Sequence, residues 1–269
     1  MQDGRIDVGI GSPEHVIHDV EAGGQLRMVG GNVNRLTHDL IAQPEIKCLE
    51  DLRGKVIGVS AFSGGTSSLF IEILKGVGLN YPGDYEIVEA GVVPPRHNKL
   101  MRREIDAGMQ TDPHNYIAVD AGLSNLGAVS DWIPYFQFTS INVRLDWAQG
   151  HSGTLVKFLA ASIKASRWMA QNEEGAVTLA RQRMGVEERY ARRAWHDHLD
   201  GDALPLDLHL NARSIETAID MIRKDRSADL RIAAGSTPER YVDVSYLGEA
   251  QRLAGVPHRT MVRVDQQGS

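Results

Sequence analysis

Short apolar runs broken by glycine, serine and proline alternate with segments of helical period through the first 145 residues. Ile6, Val8 and Ile10 mark a first strand over residues 6–10. Ser12, Pro13 and Glu14 then supply an N-cap, a first-turn proline and a first-turn acid, which predicts a helix to residue 22. Residues 26–29 read as a second strand ending at Gly30, Gly31 and Asn32, and residues 39–42 as an extended piece stopped by Pro44. Residues 49–54 form a helical turn closed by Gly54, and the β-branched run 55–60 reads as a buried strand. Ser63, Gly64, Gly65, Thr66 and Ser67 open a helix over 69–77 that Gly78 closes. A strand at 85–89, a helix at 98–105, a strand at 109–111 running into Asp112 and Pro113, and a helix at 115–123 follow. Residues 136–145 are the longest extended run.

From residue 152 the period becomes helical. Leu155, Phe158, Leu159, Ile163 and Trp168-Met169 fit one apolar face at spacings of three and four, and 177–183, 187–198, 212–226 and 241–253 predict further helices. Strands alternating with helices predict an α/β fold with mostly parallel sheets, on which the helical tail packs. The terminal residues 265–269 read as frayed.

A chain of 269 residues holds one large domain or two small ones. Its net charge of −6 argues against a nucleic-acid partner. The single cysteine, Cys48, excludes an internal disulfide and any multi-cysteine metal site, and no apolar run is long enough to span a bilayer. The first five residues lack the basic start and apolar run of a signal peptide, and a strand follows at once. Either the protein starts there and is cytoplasmic, or a segment precedes it; the second is the expectation.

In open α/β sheets, ligands bind beyond the carboxyl ends of strands, near helix N-termini. Three such junctions carry small polar residues: Gly11-Ser12-Pro13-Glu14, Ser63-Gly64-Gly65-Thr66-Ser67 and Gln110-Thr111-Asp112-Pro113. Free backbone N–H groups at such ends hold carboxylates, sulfonates or phosphates, and the same residues also serve as plain helix caps. The chain has no Walker loop and no Gly-x-Gly-x-x-Gly after a strand, which disfavours a nucleotide. His196 and His198 are two apart and point to different helix faces, so with His209 they suggest no metal site, and no cofactor is expected. Arg181, Arg183, Arg189, Arg192 and Arg193 read as a solvated helix face. Trp147 either stacks on a solute or fills core.

The segments GRIDVGI (4–10), LEDLRGKVIGV (49–59) and EIDAG (104–108) resemble the solute-binding proteins of nitrate, sulfonate and taurine ABC importers and their thiamine-precursor-binding relatives. The match in order and spacing runs over residues 4–145. The resemblance implies a type II periplasmic-binding-protein-like clamshell with two crossover strands, at 36–41 and 138–143. Lobe 1 would hold residues 1–42 and 140–269, and lobe 2 residues 43–139. It implies capture of a small anionic or aromatic solute of sulfonate, carboxylate or pyrimidine type, a monomer, an ABC permease as partner and a periplasmic location. Ser12, Glu14, Asn32, Ser63, Gly64, Gly65, Thr66, Gln110, Asp112, His114 and Trp147 would contact the solute. Asp112 and Pro113 stand where many relatives carry Glu-Pro. The family's opening strand and helix have no counterpart before residue 6, which implies a lobe with an exposed strand edge. The alternative is an enzyme on the same fold, an aromatic-acid decarboxylase or desulfinase using His114, Glu14 and Asp112 for proton transfer. A pyrimidine-forming route resembles one needing a cysteine-rich motif, which Cys48 alone does not supply. A third reading is a cytosolic ligand-sensing domain.

Overall fold

Ser12 does what its position predicts: its hydroxyl accepts a hydrogen bond from the Glu14 N–H at 3.3 Å and starts a nine-residue helix with Pro13 in its first turn. In the computed structural model, which describes residues 1, 4–62, 66–199, 203–224 and 232–263, the chain runs through ten strands and eleven α-helices among those residues. The order is β1 (Val8–Gly11), α1 (Pro13–Glu21), β2 (Leu26–Val33), β3 (Asp39–Ala42), β4 (Val56–Val59), α2 (Thr66–Gly76), β5 (Glu86–Glu89), α3 (Val93–Met101) and β6 (Ala107–Gln110). Then come α4 (His114–Asp120), β7 (Ser124–Ala128), α5 (Val129–Trp132), β8 (Thr139–Arg144), α6 (Leu145–Gly150), α7 (Ser152–Gln171), α8 (Glu173–Met184) and α9 (Glu188–Leu199). The chain ends on β9 (Leu210–Asn211), α10 (Ala212–Lys224), α11 (Ser245–Ala254) and β10 (Met261–Val262). Ser63, Gly64 and Gly65, residues 265–269 and the last two residues of the helix expected at 212–226 lie outside the described residues.

Contacts divide the chain into two units. The first comprises Met1–Leu36, Tyr135–Leu179 and Trp195–Ser269, and the second Thr37–Pro134 and Ala180–Ala194.

The first unit holds a three-stranded sheet of order β1-β8-β2. Both outer strands run antiparallel to β8, so β1 and β2 are parallel to each other but not adjacent. The expectation of mostly parallel sheets fails here. The β1–α1–β2 crossover leaves a gap, and a strand from more than a hundred residues later fills it in the opposite sense. The core under this sheet joins Val29, Ile141 and Val143 to Leu155, Leu159 and Ile163 of α7 and Leu247 of α11. The 3.6-residue spacing read from the sequence of α7 is therefore its buried stripe. A separate two-stranded parallel sheet, β9 with β10, was not expected.

β1 is an edge strand, and Ile6 and Ile10 are 55% and 60% exposed. Exposed apolar edges template pairing with other chains. Ile10→Lys should therefore lower concentration-dependent self-association without lowering the melting temperature, as read by light scattering; unchanged scattering would show that this edge is not the sticky surface.

The second unit holds a five-stranded sheet of order β5-β4-β6-β3-β7. β4 pairs parallel with β5 and β6, as βαβ units require, whereas β3 pairs antiparallel with β6 and β7. β7 and α5 are additions to the sequence reading. The helix expected at 98–105 is instead the nine-residue α3, Val93–Met101, opening on Pro94 and Pro95. Prolines tolerated in a first turn mark that start. Ile41, Leu100, Ile105 and Ala118 form a core of this unit. The arginine-rich segment of α9 is more than a solvated face: Tyr190 stacks on Tyr116 of α4, Arg193 lies 4.2 Å over the Tyr116 ring, and the Tyr190 hydroxyl donates to Asp120 at 2.8 Å.

Candidate functional site

Within the first unit, the candidate residues are largely committed to the fold. The Ser12 hydroxyl caps α1 and also donates to Glu14 Oε2 at 3.3 Å. Asn32, on β2, donates from Nδ2 to Thr139 Oγ1 at 2.9 Å. Trp147 sits in α6, a helix not expected from the sequence; its ring packs on the core and stacks on His151 at 4.9 Å with planes 10° apart. A cavity of about 620 Å³ lies in this unit against β1 and α1, with His15, His18, Asp19 and Asn142 as its polar lining, and none of Ser12, Glu14, Asn32 or Trp147 lines it. The sequence reading also passed over a buried polar stripe on and before β8. The Gln137 amide donates to Asn34 Oδ1 at 2.8 Å, and Ser140 to Asn142 Oδ1 at 2.7 Å.

His209 is buried, with Nδ1 2.6 Å from Asp207 Oδ1, which helps hold the Asp207 carboxyl below its ordinary range against the effect of burial. Among the described residues no three His, Cys, Asp or Glu side chains converge as a metal site.

The second unit holds the other candidate residues. Thr66, the first residue of α2, accepts from the Ser60 N–H at 2.9 Å and shares a 3.0 Å hydrogen bond with the Ser60 hydroxyl, which fixes the end of β4 to the start of its helix. Gln110 ends β6, is fully buried, and has no hydrogen-bond partner on either amide atom. Asp112 precedes Pro113 through a cis peptide, and His114 begins α4. The His114 ring meets the edge of His97 at 5.0 Å between centroids.

Arg96 organises this region. It is 1% exposed, and its guanidinium donates from Nε and Nη2 to the Met109 carbonyl at 2.9 and 2.6 Å and from Nη1 to the Gly91 carbonyl at 2.9 Å. Its stem crosses Gly108, where a β-carbon would stand 3.2 Å from Arg96 Cδ, so any larger residue would make the stem give by a few tenths of an ångström. Gln110 is two residues on and projects from the same sheet face as Gly108, toward α3 and Arg96. Directly opposite Gln110 on β3 is Asp39, whose carboxylate accepts from Asn115 at 2.9 Å and Asn125 at 3.1 Å.

The electrostatics follow from burial. Burial pushes His38 down to about 3, with the Arg96 charge acting in the same direction and the Asp112 charge against it. Burial also lowers His97, helped by His114, and lowers His114 against the pull of Asp112. Arg96 falls to about 10 through burial and stays protonated at neutral pH. The cluster therefore offers neutral imidazoles, a guanidinium engaged with main-chain carbonyls, a carboxyl group and an unpartnered carboxamide. Such a set can hold a partner by hydrogen bonds. His38, Arg96 and His97 were missed from sequence, although the prolines before Arg96 could have placed it in a helix.

A family model described as NMT1/THI5-like matches residues 1–176. No curated protein matches the chain by sequence. Among solved structures, a protein from Bordetella bronchiseptica RB50 is similar with a TM-score of 0.75 and 17% identity, over 94% of this chain and 82% of that one. The periplasmic aliphatic sulphonate binding protein SsuA from Escherichia coli gives 0.67 and 18%, over 86% and 79% of the two chains. The desulfurization enzyme DSZB gives 0.63 and 15%, over 91% and 85%. At these identities the likeness is one of fold: α/β, of the type II periplasmic-binding-protein kind.

Proposed function

This chain belongs to the NMT1/THI5-like family, and from that premise we propose that it is a binding protein that captures a small organic solute for an ABC permease in the periplasm. The solute is of sulfonate, carboxylate or pyrimidine type, and the second unit contributes Gln110, Asp112 and His114 to holding it. The observation that carries this reading is Gln110: a fully buried carboxamide with both amide atoms unsatisfied is a group awaiting a partner. A solved relative in fold, SsuA, bears the name of an aliphatic sulphonate binding protein, which supports import as the setting. No helix among the described residues is long and apolar enough to cross a membrane.

The likeness to DSZB, a desulfurization enzyme, keeps catalysis as the second reading. Of the residues it would use, His114 and Asp112 belong to the second unit and Glu14 to the first.

One experiment separates the two. Thermal-shift screening with alkanesulfonates, aromatic carboxylates, carboxamides and pyrimidines should raise the melting temperature for one class, and the bound solute should be recovered unchanged by mass spectrometry. Conversion of the solute would make the protein an enzyme. No shift with any class would end the solute-binding reading.

A further inference from the structure

Gln110 has a side chain that combines a donor, Nε2, with an acceptor, Oε1, about 2 Å apart on one planar group. Both atoms are buried and both lack a partner. His97 Nδ1, in the same cluster and 8% exposed as a residue, is a further buried polar atom without a hydrogen bond. An all-acceptor group such as a sulfonate or carboxylate satisfies Nε2 and sets its own oxygens against Oε1. The cluster's guanidinium offers such an anion little, because Arg96 already directs its Nε, Nη1 and Nη2 at the Met109 and Gly91 carbonyls. Its nearest histidines are held neutral by burial, and the Asp112 carboxyl group acts on both His38 and His114.

We infer that Gln110 is a specificity-determining residue, selecting a solute edge that both donates and accepts hydrogen bonds, such as a primary carboxamide, over an isosteric carboxylate or sulfonate. This rests on the solute-binding reading and departs from its sulfonate and carboxylate classes, keeping only solutes whose edge both donates and accepts. A carboxamide laid against Gln110 forms two antiparallel hydrogen bonds and leaves neither amide atom of the pair orphaned. Rejection of the anion arises from the cost of leaving a buried acceptor opposite another acceptor.

The same argument predicts an unusual sign for a buried substitution. Gln110→Met keeps the side chain's length and removes two unsatisfied polar atoms, so the unliganded protein should melt at the same temperature or higher. If Gln110 served the fold alone, through an ordered water, the methionine would lower the melting temperature instead.

The test uses sets that share one skeleton and differ in head group: benzamide, benzoate and benzenesulfonate, with propionamide, propionate and ethanesulfonate. Dissociation constants are measured by calorimetry on the whole chain, for wild type, Gln110→Met and Gln110→Glu. The expected result is tighter binding of an amide than of its matched anions by wild type, and loss of about tenfold or more for that amide in Gln110→Met with no loss of melting temperature. Gln110→Glu, which replaces the donor by an acceptor, should also lose affinity for the amide and should not gain the carboxylate. Tighter binding of the anions, or unchanged amide binding by Gln110→Met, overturns the inference and leaves the solute-binding reading standing. Absence of binding by every member of both sets, together with a flat thermal-shift screen, ends both.

Discussion

Arg96→Ala should destabilise the second unit by about 3–5 kcal/mol, enough to remove most of a typical domain's margin. The side chain is 1% exposed and its three hydrogen bonds end on the carbonyls of Gly91 and Met109, which join the loop before α3 to strand β6. Truncation leaves those carbonyls without their charged donor and opens a cavity over Gly108. Working against this is the relief of a buried charge: burial alone lowers Arg96 to about 10, so desolvation takes back part of what the hydrogen bonds contribute. Hydrogen bonds to a charged donor contribute about 1.5–3 kcal/mol each, so three of them with the packed stem exceed that relief. Arg96→Met separates the contributions, because it refills the volume and removes the charge without restoring a donor. The methionine variant should remain about 2 kcal/mol or more below wild type in denaturant titrations, and amide exchange should accelerate in β4 and β6 before β2 and β8. A methionine variant as stable as wild type would show that Arg96 is mere filling.

Much of this architecture was legible because its causes are local. Ser12, Pro13 and Glu14 carry the start of α1 in their own chemistry, and Gly78, at φ +77°, ends the segment after α2 where only a left-handed residue fits. The β-branched run that became β4 needed no distant partner to be recognised. What escaped is what long-range pairing decides. The insertion of β8 between β1 and β2 depends on a strand more than a hundred residues away, and no window around β1 contains that information. β7 escaped for a different reason: Ser124 and Asn125 are turn-like residues held extended by pairing with β3.

The site divides in the same way. Gln110, Asp112 and His114 follow from the rule that ligands gather beyond strand ends. Arg96, His97 and His38 were invisible because hydropathy assigns such residues to the surface, whereas here each is more than nine-tenths buried. Ser12 and Trp147 show the converse. Both have the chemistry of a binding residue, and the structure occupies the Ser12 hydroxyl with a cap and packs the Trp147 ring on core and on His151.

Stability should fall as the pH drops from about 6.5 toward 4.5, by about 2–3 kcal/mol from His38 alone. The sign comes from a histidine whose folded value lies below its unfolded one. His38 is buried, and burial with the Arg96 charge lowers it to about 3. Above the unfolded value neither state binds the proton and the folded state keeps its full stability. Below it, the unfolded chain is protonated while folded His38 resists, so each pH unit costs about 1.4 kcal/mol until the pH reaches about 3. His97 and His114, also lowered by burial, add in the same direction. Glu45, Asp51 and Asp84, each held below its ordinary value by hydrogen bonds, add to the fall in the same direction only at the foot of the window and below it, where their unfolded counterparts take up protons. Denaturant titrations at pH 7 and pH 4.5 check the slope. His38→Gln keeps a neutral polar side chain of similar reach at the position and should flatten it by most of the His38 share. An equal slope in wild type and His38→Gln would mean that His38 gains its proton in the folded protein as readily as in the unfolded chain, and that the neutral cluster around Arg96 does not exist.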